Sequence, residues 1–188
     1  MKQLHIEEMG LKYDIDNRGF LQVNNDIKKL IYEHILNEIS SEDIVIDAYS
    51  GAGLLTSIVA KKAQKAIGIE INKSASKSAE NMAKFNNLHN TIFYNNDIKD
   101  KIDECLIAYP NSVLILDPTR SGCDDVVIDK IISNNLPKKI IYLSCNVATL
   151  SRDLQKLKDH YEICFVNGYD MFPNTKHVET LVCLQRRV

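Results

Sequence analysis

Asp43-Ile-Val-Ile-Asp-Ala-Tyr-Ser-Gly-Ala-Gly53 sets the architecture of this chain. Ile44 to Ala48 reads as an apolar strand. A turn holding Gly51 and Gly53 follows, and Leu54 to Ala63 then reads as a helix. A strand, a glycine turn and a helix in direct succession form the opening of an alternating α/β domain.

The same alternation repeats outward. Ala66–Ile71, Thr91–Tyr94, Ser112–Asp117 and Ile140–Leu143 read as further strands. Helices are expected over Lys73–Asn86, Ile98–Ala108, about Asp124–Asn134 and Ala148–Lys158. Nearly continuous apolar strands alternating with amphipathic helices imply a parallel sheet covered on both faces. Tyr161–Val166 and Thr180–Arg186 close the chain with no helix between them, which suits an antiparallel ribbon. The expected fold is therefore α/β and Rossmann-like, of the Class I methyltransferase kind. Its sheet is mostly parallel and seven-stranded, with an antiparallel edge strand. Upstream, Met1–Asn17 is mixed and poorly periodic, and Gly19–Asn24 looks short and extended. Asn25 or Asp26 is placed to cap a helix through Ile39, with Ile27, Leu30, Ile31, His34, Ile35 and Ile39 on one face. Residues 1–40 are read as an N-terminal extension and helix packed on a domain of residues 41–188.

The 188 residues, 45% hydrophobic, suffice for one domain with a real core. A net charge of -2 argues mildly against a large nucleic-acid footprint on this chain alone. The C-terminal end is the more basic part: residues 138–188 hold eight Lys/Arg against five Asp/Glu. The five cysteines are irregularly spaced and form no CxxC pair, so neither zinc nor an iron–sulfur cluster is suggested. The odd cysteine count and the lack of a signal-like start lead to the expectation of a reducing cytoplasm. No apolar run reaches the ~18 residues of a membrane span.

Ligands of such folds bind at the carboxyl ends of the strands. Asp47, Glu70, Asp97, Asp117 and Cys145 all fall at or just after such ends. Gly51 and Gly53 let backbone approach a ligand, and Glu70 follows at the distance where an acid meets ribose hydroxyls. The dinucleotide pattern fails at its third glycine, where Thr56 stands, and no basic group follows to meet a pyrophosphate. An acid before the turn suits a positively charged ligand, S-adenosylmethionine, better. Asp97 is either an adenine-binding acid or the cap of the helix that follows.

Asp117-Pro-Thr-Arg-Ser-Gly122 offers Asp117 to orient a target base and Arg120 to pair with it or with a phosphate; the plainer reading is a loop with a local salt bridge. Lys139-Ile-Ile-Tyr-Leu-Ser-Cys-Asn-Val-Ala-Thr-Leu-Ser-Arg-Asp153 places Cys145 between a strand and a helix N-terminus, whose free N–H groups favour a thiolate. The polar segment Asp170–Glu179 brings His177 and Glu179 as possible partners. Glu179 as a surface charge and His177 as a structural histidine are the alternatives.

Ser144-Cys-Asn-Val-Ala-Thr-Leu-Ser-Arg-Asp153, Asp170-Met-Phe-Pro173 with His177-Val-Glu179, Asp117-Pro-Thr-Arg120 and Phe20-Leu-Gln-Val-Asn24 together resemble the RNA uracil-5-methyltransferases of the RumA/TrmA type, from about Gly19 to Arg187. The resemblance implies Cys145 as nucleophile and Glu179 as general base. It implies Gln22, Tyr49, Glu70, Asp97 and Asp117 around S-adenosylmethionine, with Asp117 near the base as well. RNA, ribosomal or transfer, is the implied substrate. The chain departs from the family at Thr119 and Val147, where prolines are usual, and at Leu54, where an asparagine is common. The family's N-terminal RNA-binding domain is not expected within this length, so the chain reads as the catalytic domain alone. An impaired cofactor-binding accessory domain and an exocyclic-amine methyltransferase are the competing expectations.

Overall fold

The computed structural model describes residues 4–15, 24–134, 136–171 and 178–187. It opens with an antiparallel hairpin, β1 (Leu4–Glu8) and β2 (Leu11–Ile15), and the helix α1 (Asn25–Asn37). The alternating part runs β3 (Ile44–Asp47), α2 (Leu54–Ala60), β4 (Lys65–Ile69), α3 (Lys73–Phe85), β5 (Thr91–Tyr94), α4 (Ile98–Ala108), β6 (Val113–Leu116), α5 (Asp125–Asn134), β7 (Lys139–Ser144) and α6 (Val147–Leu157). β8 (Tyr161–Tyr169) and β9 (Glu179–Arg186) complete a seven-stranded sheet of order β5-β4-β3-β6-β7-β9-β8. The expected α/β sheet is thus present. β9 is the one strand antiparallel to β7, and β8 lies outside it.

Alternate side chains of each strand point to opposite faces, and the sheet carries two cores accordingly. Ile46, Ile67, Leu114, Ile140, Tyr142 and Val182 pack under α4, α5 and α6. Val45, Ile115, Ile141, Leu143 and Leu181 pack under α1 and α2. Both faces are closed, which is why the central strands read as unbroken apolar runs.

The hairpin corrects the reading of the first residues as aperiodic. Leu11, Met9 and Tyr13 dock it on the core, and polar contacts add to this. The amide N–H of Lys12 donates to Asn86 Oδ1 at 2.8 Å, and Asn86 Nδ2 donates back to the Lys12 carbonyl at 2.7 Å. Lys61 Nζ donates to the Met9 carbonyl at 3.0 Å. Leu11 is buried, but hydrogen bonds leave no apolar alternation for a sequence reading to find. Two smaller corrections concern α1. Asn24 caps it, its Oδ1 accepting from Ile27 N at 3.2 Å. Leu30 is 52% exposed, and Lys28 is buried instead, because it pairs with Glu8 at 2.7 Å. Among the described residues no helix is long and apolar enough to cross a membrane.

The glycine turn after β3 depends on two left-handed residues of unequal tolerance. Gly51 has φ 52° and open space where a Cβ would stand; Gly53 has φ 81° and a Cβ there would lie 2.4 Å from Ala79 Cβ. Gly51→Ala should therefore cost only the left-handed backbone, about 1–2 kcal/mol. Gly53→Ala should add about 1–3 kcal/mol of overpacking against α3. Chemical denaturation of the two variants measures the difference, and equal losses would contradict the packing argument.

Candidate active site

The register of the sheet gathers the candidate residues. In the antiparallel pair, Ser144 of β7 stands opposite Thr180 of β9. One step further along the same register puts Cys145 against Glu179. Facing residues on neighbouring strands hold their Cβ atoms about 4.5–5.5 Å apart. In the parallel pair, Leu116 stands opposite Tyr142, so Asp117 emerges beside the end of β7. Asp47 lies on β3, next to β6. Asp47 and Glu179 share strand parity with Val45 and Leu181. They therefore sit on the α1 face of the sheet, and Asp117 and Cys145 continue the same parity from Ile115 and Leu143.

Crowding of acids on this face controls their protonation. Asp117 is pushed up to about 8 by burial first, then by the charges of Asp47 and Glu179. Buried Asp47 is pushed up to about 6 by desolvation. The Thr56 hydroxyl, donating to Asp47 Oδ2 at 2.6 Å, and the Tyr49 backbone N–H hold it from rising further. Burial also raises Glu179, with Arg120 opposing. The Cys145 thiol is raised as well, by burial and then by Glu179; a hydrogen bond from Arg120 and its charge oppose this. This corrects the expectation of a thiolate favoured by the helix terminus. One of the first N–H groups of α6 is already occupied, Asn146 Oδ1 accepting from Ala148 N at 3.1 Å, and Ser144 Oγ accepts from Asn146 N at 3.1 Å. What remains around the sulfur is a desolvated pocket with a carboxylate in it.

A cavity of about 610 Å³ is lined among others by Tyr49, Glu70, Ile71, Asp97, Ile98 and Gly122. Glu70 is fixed at its rim. Its Oε2 accepts from Gly51 N at 2.9 Å and its Oε1 from Asn72 N at 2.6 Å, so the glycine turn and the acid orient each other. Asp97 is a helix cap, its Oδ1 accepting from Lys99 N at 3.0 Å, as the capping alternative expected, and it also lines the cavity. Gly53 caps α2 through its left-handed backbone and is not among the lining residues. The loop after β6 is shared: Thr119, Ser121 and Gly122 line the cavity, while the charge of Arg120 acts on the thiol. Gln22 and His177 lie outside the described residues.

Sequence reasoning missed three contributors. Thr56, counted only as a break in a glycine pattern, is the hydrogen-bond partner of Asp47. Ile71 stands 67% exposed at the cavity mouth, an uncovered apolar side chain directly after Glu70. Tyr32 of α1 is buried close enough to Asp117 and Asp47 for their charges to raise its hydroxyl. An apolar residue after a strand-end acid was a legible signal. The approach of Tyr32 was not, since it depends on how α1 packs.

The raised carboxyls make stability fall with pH. Unfolded Asp releases its proton near 3.9, whereas folded Asp117 keeps it to about 8. Between these values the unfolded state binds fewer protons, so the contribution is complete below about pH 4 and is lost as pH rises towards 8. Asp47 acts in the same sense up to about 6. In thermal melts, the Tm of Asp117→Asn should gain on that of the unsubstituted protein steadily from pH 5 to pH 8. A difference constant over that range would contradict the assignment.

The profile of the tRNA (uracil-5-)-methyltransferase family matches residues 1–187. An RNA methyltransferase of Bacteroides thetaiotaomicron is 37% identical over 96% of this chain and 41% of its own length. One from Prochlorococcus marinus is 41% identical over 92% of this chain and 42% of its own. The chain thus spans less than half the length of these relatives. Its fold is similar to that of the Pyrococcus abyssi tRNA (uracil-54, C5)-methyltransferase, solved with S-adenosyl-L-homocysteine. The TM-score is 0.83 at 24% identity, over 98% of this chain and 44% of that one. On the profile match over nearly its whole length, the chain belongs to the tRNA (uracil-5-)-methyltransferase family.

Proposed function

We propose that this chain is the catalytic domain of an S-adenosylmethionine-dependent RNA uracil-C5-methyltransferase that works through a covalent adduct between Cys145 and C6 of a uridine in tRNA or rRNA. The observation that carries the reading is the β7–β9 register, which brings Cys145 close to Glu179, while Asp117 leaves the neighbouring β6 close enough to Glu179 to be raised by its charge.

The cavity suits the cofactor. Each oxygen of Glu70 takes one backbone N–H and keeps a lone pair free for a ribose hydroxyl. Gly51 leaves open space where any side chain would stand. Acidic groups at the rim match a sulfonium cation, and Ile71 and Ile98 offer apolar surface to a purine ring. Tyr49, Gly51, Gly53, Glu70, Asp97, Asp117 and Gln22 are assigned to cofactor binding. S-adenosylmethionine, when bound, supplies an electrophilic methyl group.

C5 of uracil is a poor nucleophile. Cys145 adds to C6 as thiolate and pushes electron density onto C5, which can then take the methyl group. Arg120, the cation that favours the thiolate, makes this addition accessible despite the burial of the sulfur. Glu179 removes the C5 proton; the Cys145–C6 bond breaks, sulfur leaves as thiolate and the ring regains aromaticity. A raised proton affinity suits Glu179 to that step. Asp117, Arg120 and His177 are assigned to the uracil and its phosphate, and the uridine must leave its stack to reach them. Residues 1–40 serve as an extension packed on the domain of residues 41–188. A further RNA-binding domain is the proposed partner, since the relatives are more than twice as long.

Cys145→Ala should abolish transfer of labelled methyl from S-adenosylmethionine to unmodified RNA. Undiminished transfer would instead select an exocyclic-amine methyltransferase, which needs no cysteine. Glu179→Gln should accumulate a covalent protein–RNA species on denaturing gels, and its absence under turnover conditions would count against Glu179 as base.

A further inference from the structure

Four side chains at the start of α6 and along one face of it bind the backbone of the loop after β6. Asn146 Nδ2 donates to the Arg120 carbonyl at 3.0 Å, and the Thr149 hydroxyl is shared between that oxygen at 3.3 Å and the Asn146 carbonyl at 3.1 Å. Arg152 Nη2 donates to the carbonyls of Ser121, at 3.2 Å, and Cys123, at 2.9 Å. Asp153 Oδ2 accepts from Cys123 N at 2.9 Å and from the Tyr142 hydroxyl at 2.6 Å. Its Oδ1 is held by Arg152, with Nε at 2.8 Å and Nη2 at 2.7 Å, and the Asp153 side chain is fully buried. Gly122 completes the fit: its φ is 77°, and a Cβ there would stand 2.8 Å from both Arg152 Nη2 and Asp153 Oδ2.

The loop so held has two sides. Thr119, Ser121, Gly122 and Cys123 wall the cavity, and Arg152 lines it too. Arg120, from the same five-residue run, lies close enough to the Cys145 sulfur for its charge to favour the thiolate. Cys145 itself immediately precedes the cap of α6. One helix therefore fixes the thiol, the cation that faces it and a wall of the cavity in a single frame.

We infer that Asn146, Thr149, Arg152 and Asp153 are positioning residues, a side-chain template on α6 that sets cofactor affinity and Cys145 reactivity together through the loop 119–123. The inference rests on the reading of the cavity as the cofactor's and of Cys145 as the nucleophile. A buried Asp–Arg pair that only stabilised α6 would leave both properties unchanged in a variant that still folds.

The test measures two properties of the purified full chain. One is S-adenosylmethionine binding by calorimetry. The other is the pH profile of Cys145 alkylation by iodoacetamide, read by peptide mass spectrometry so that the other cysteines do not interfere. Asp153→Asn removes the charge that holds Arg152 and puts a donor among donors. It should weaken S-adenosylmethionine binding by about tenfold, the order expected from losing a charged hydrogen bond. It should also move the Cys145 profile to higher pH, because Arg120 no longer faces the sulfur. Arg152→Lys keeps the charge but loses the fork, and should behave the same way. Thr149→Val, nearly isosteric, removes only one donor and reads the template if Asp153→Asn does not fold; it too should shift the alkylation profile upward. Folded variants with unchanged binding and an unchanged profile would overturn the inference. The alkylation arm needs neither RNA nor cofactor. If the unsubstituted chain binds no S-adenosylmethionine, the functional reading fails while that arm still decides the template.

Discussion

The antiparallel pairing of β7 with β9 is the constraint on which the candidate centre depends. Side chains alternate across a strand, so a slip of one residue would send Glu179 to the opposite face of the sheet and leave Cys145 without it. The register is held by burial on both sides, because Ile140, Tyr142 and Val182 belong to one core and Ile141, Leu143 and Leu181 to the other. The core therefore specifies the meeting of the two residues, and the loops need only complete it. Asp117 and Asp47 arrive by the same logic from β6 and β3, since parallel neighbours end at the same edge.

That convergence has an electrostatic cost. Three carboxyl groups share one desolvated face, and the charge of Arg120 opposes the rise of both Glu179 and Cys145. Strongly shifted titratable groups gathered together are a mark of functional sites. Here the arrangement contrasts with the polar pairs elsewhere. Asp43 with Lys138 and Glu38 with Lys139 match each acid to its own cation, and both acids are held below their ordinary range. The raised acids Asp47, Asp117 and Glu179 instead gather on one face of the sheet. The Cys145 thiol shares that environment, so its reactivity depends on how well the Arg120 guanidinium is placed.

Much of the architecture was legible because it is written in apolar periodicity. The strands from Ile44 to Ile140 and their helices follow from runs buried on both faces, and Cys145, Glu70 and Asp97 could be placed at strand ends from spacing alone. Properties that depend on polar docking or on tertiary neighbours were not legible. The hairpin of residues 4–15 is held in part by Asn86, Lys61 and Lys28, none of which marks a strand. The protonation of Cys145 was misjudged because the sequence shows a helix terminus but not the cap that occupies it, nor the carboxylate across the sheet. Arg152 and Asp153 stood inside a recognised motif with no role attached, because their partners lie about thirty residues upstream in the loop after β6.

The most direct measurement uses RNA carrying 5-fluorouridine, with S-adenosylmethionine present. Fluorine at C5 cannot leave as a cation, so removal of the C5 substituent is blocked and the C6 adduct persists once formed. Proteolysis and mass spectrometry locate the attached nucleotide. The account predicts a methylated fluorouridine on the peptide that contains Cys145 and on no other cysteine. Methylated RNA with no protein adduct, or an adduct mapped to Cys123 or Cys164, would contradict it.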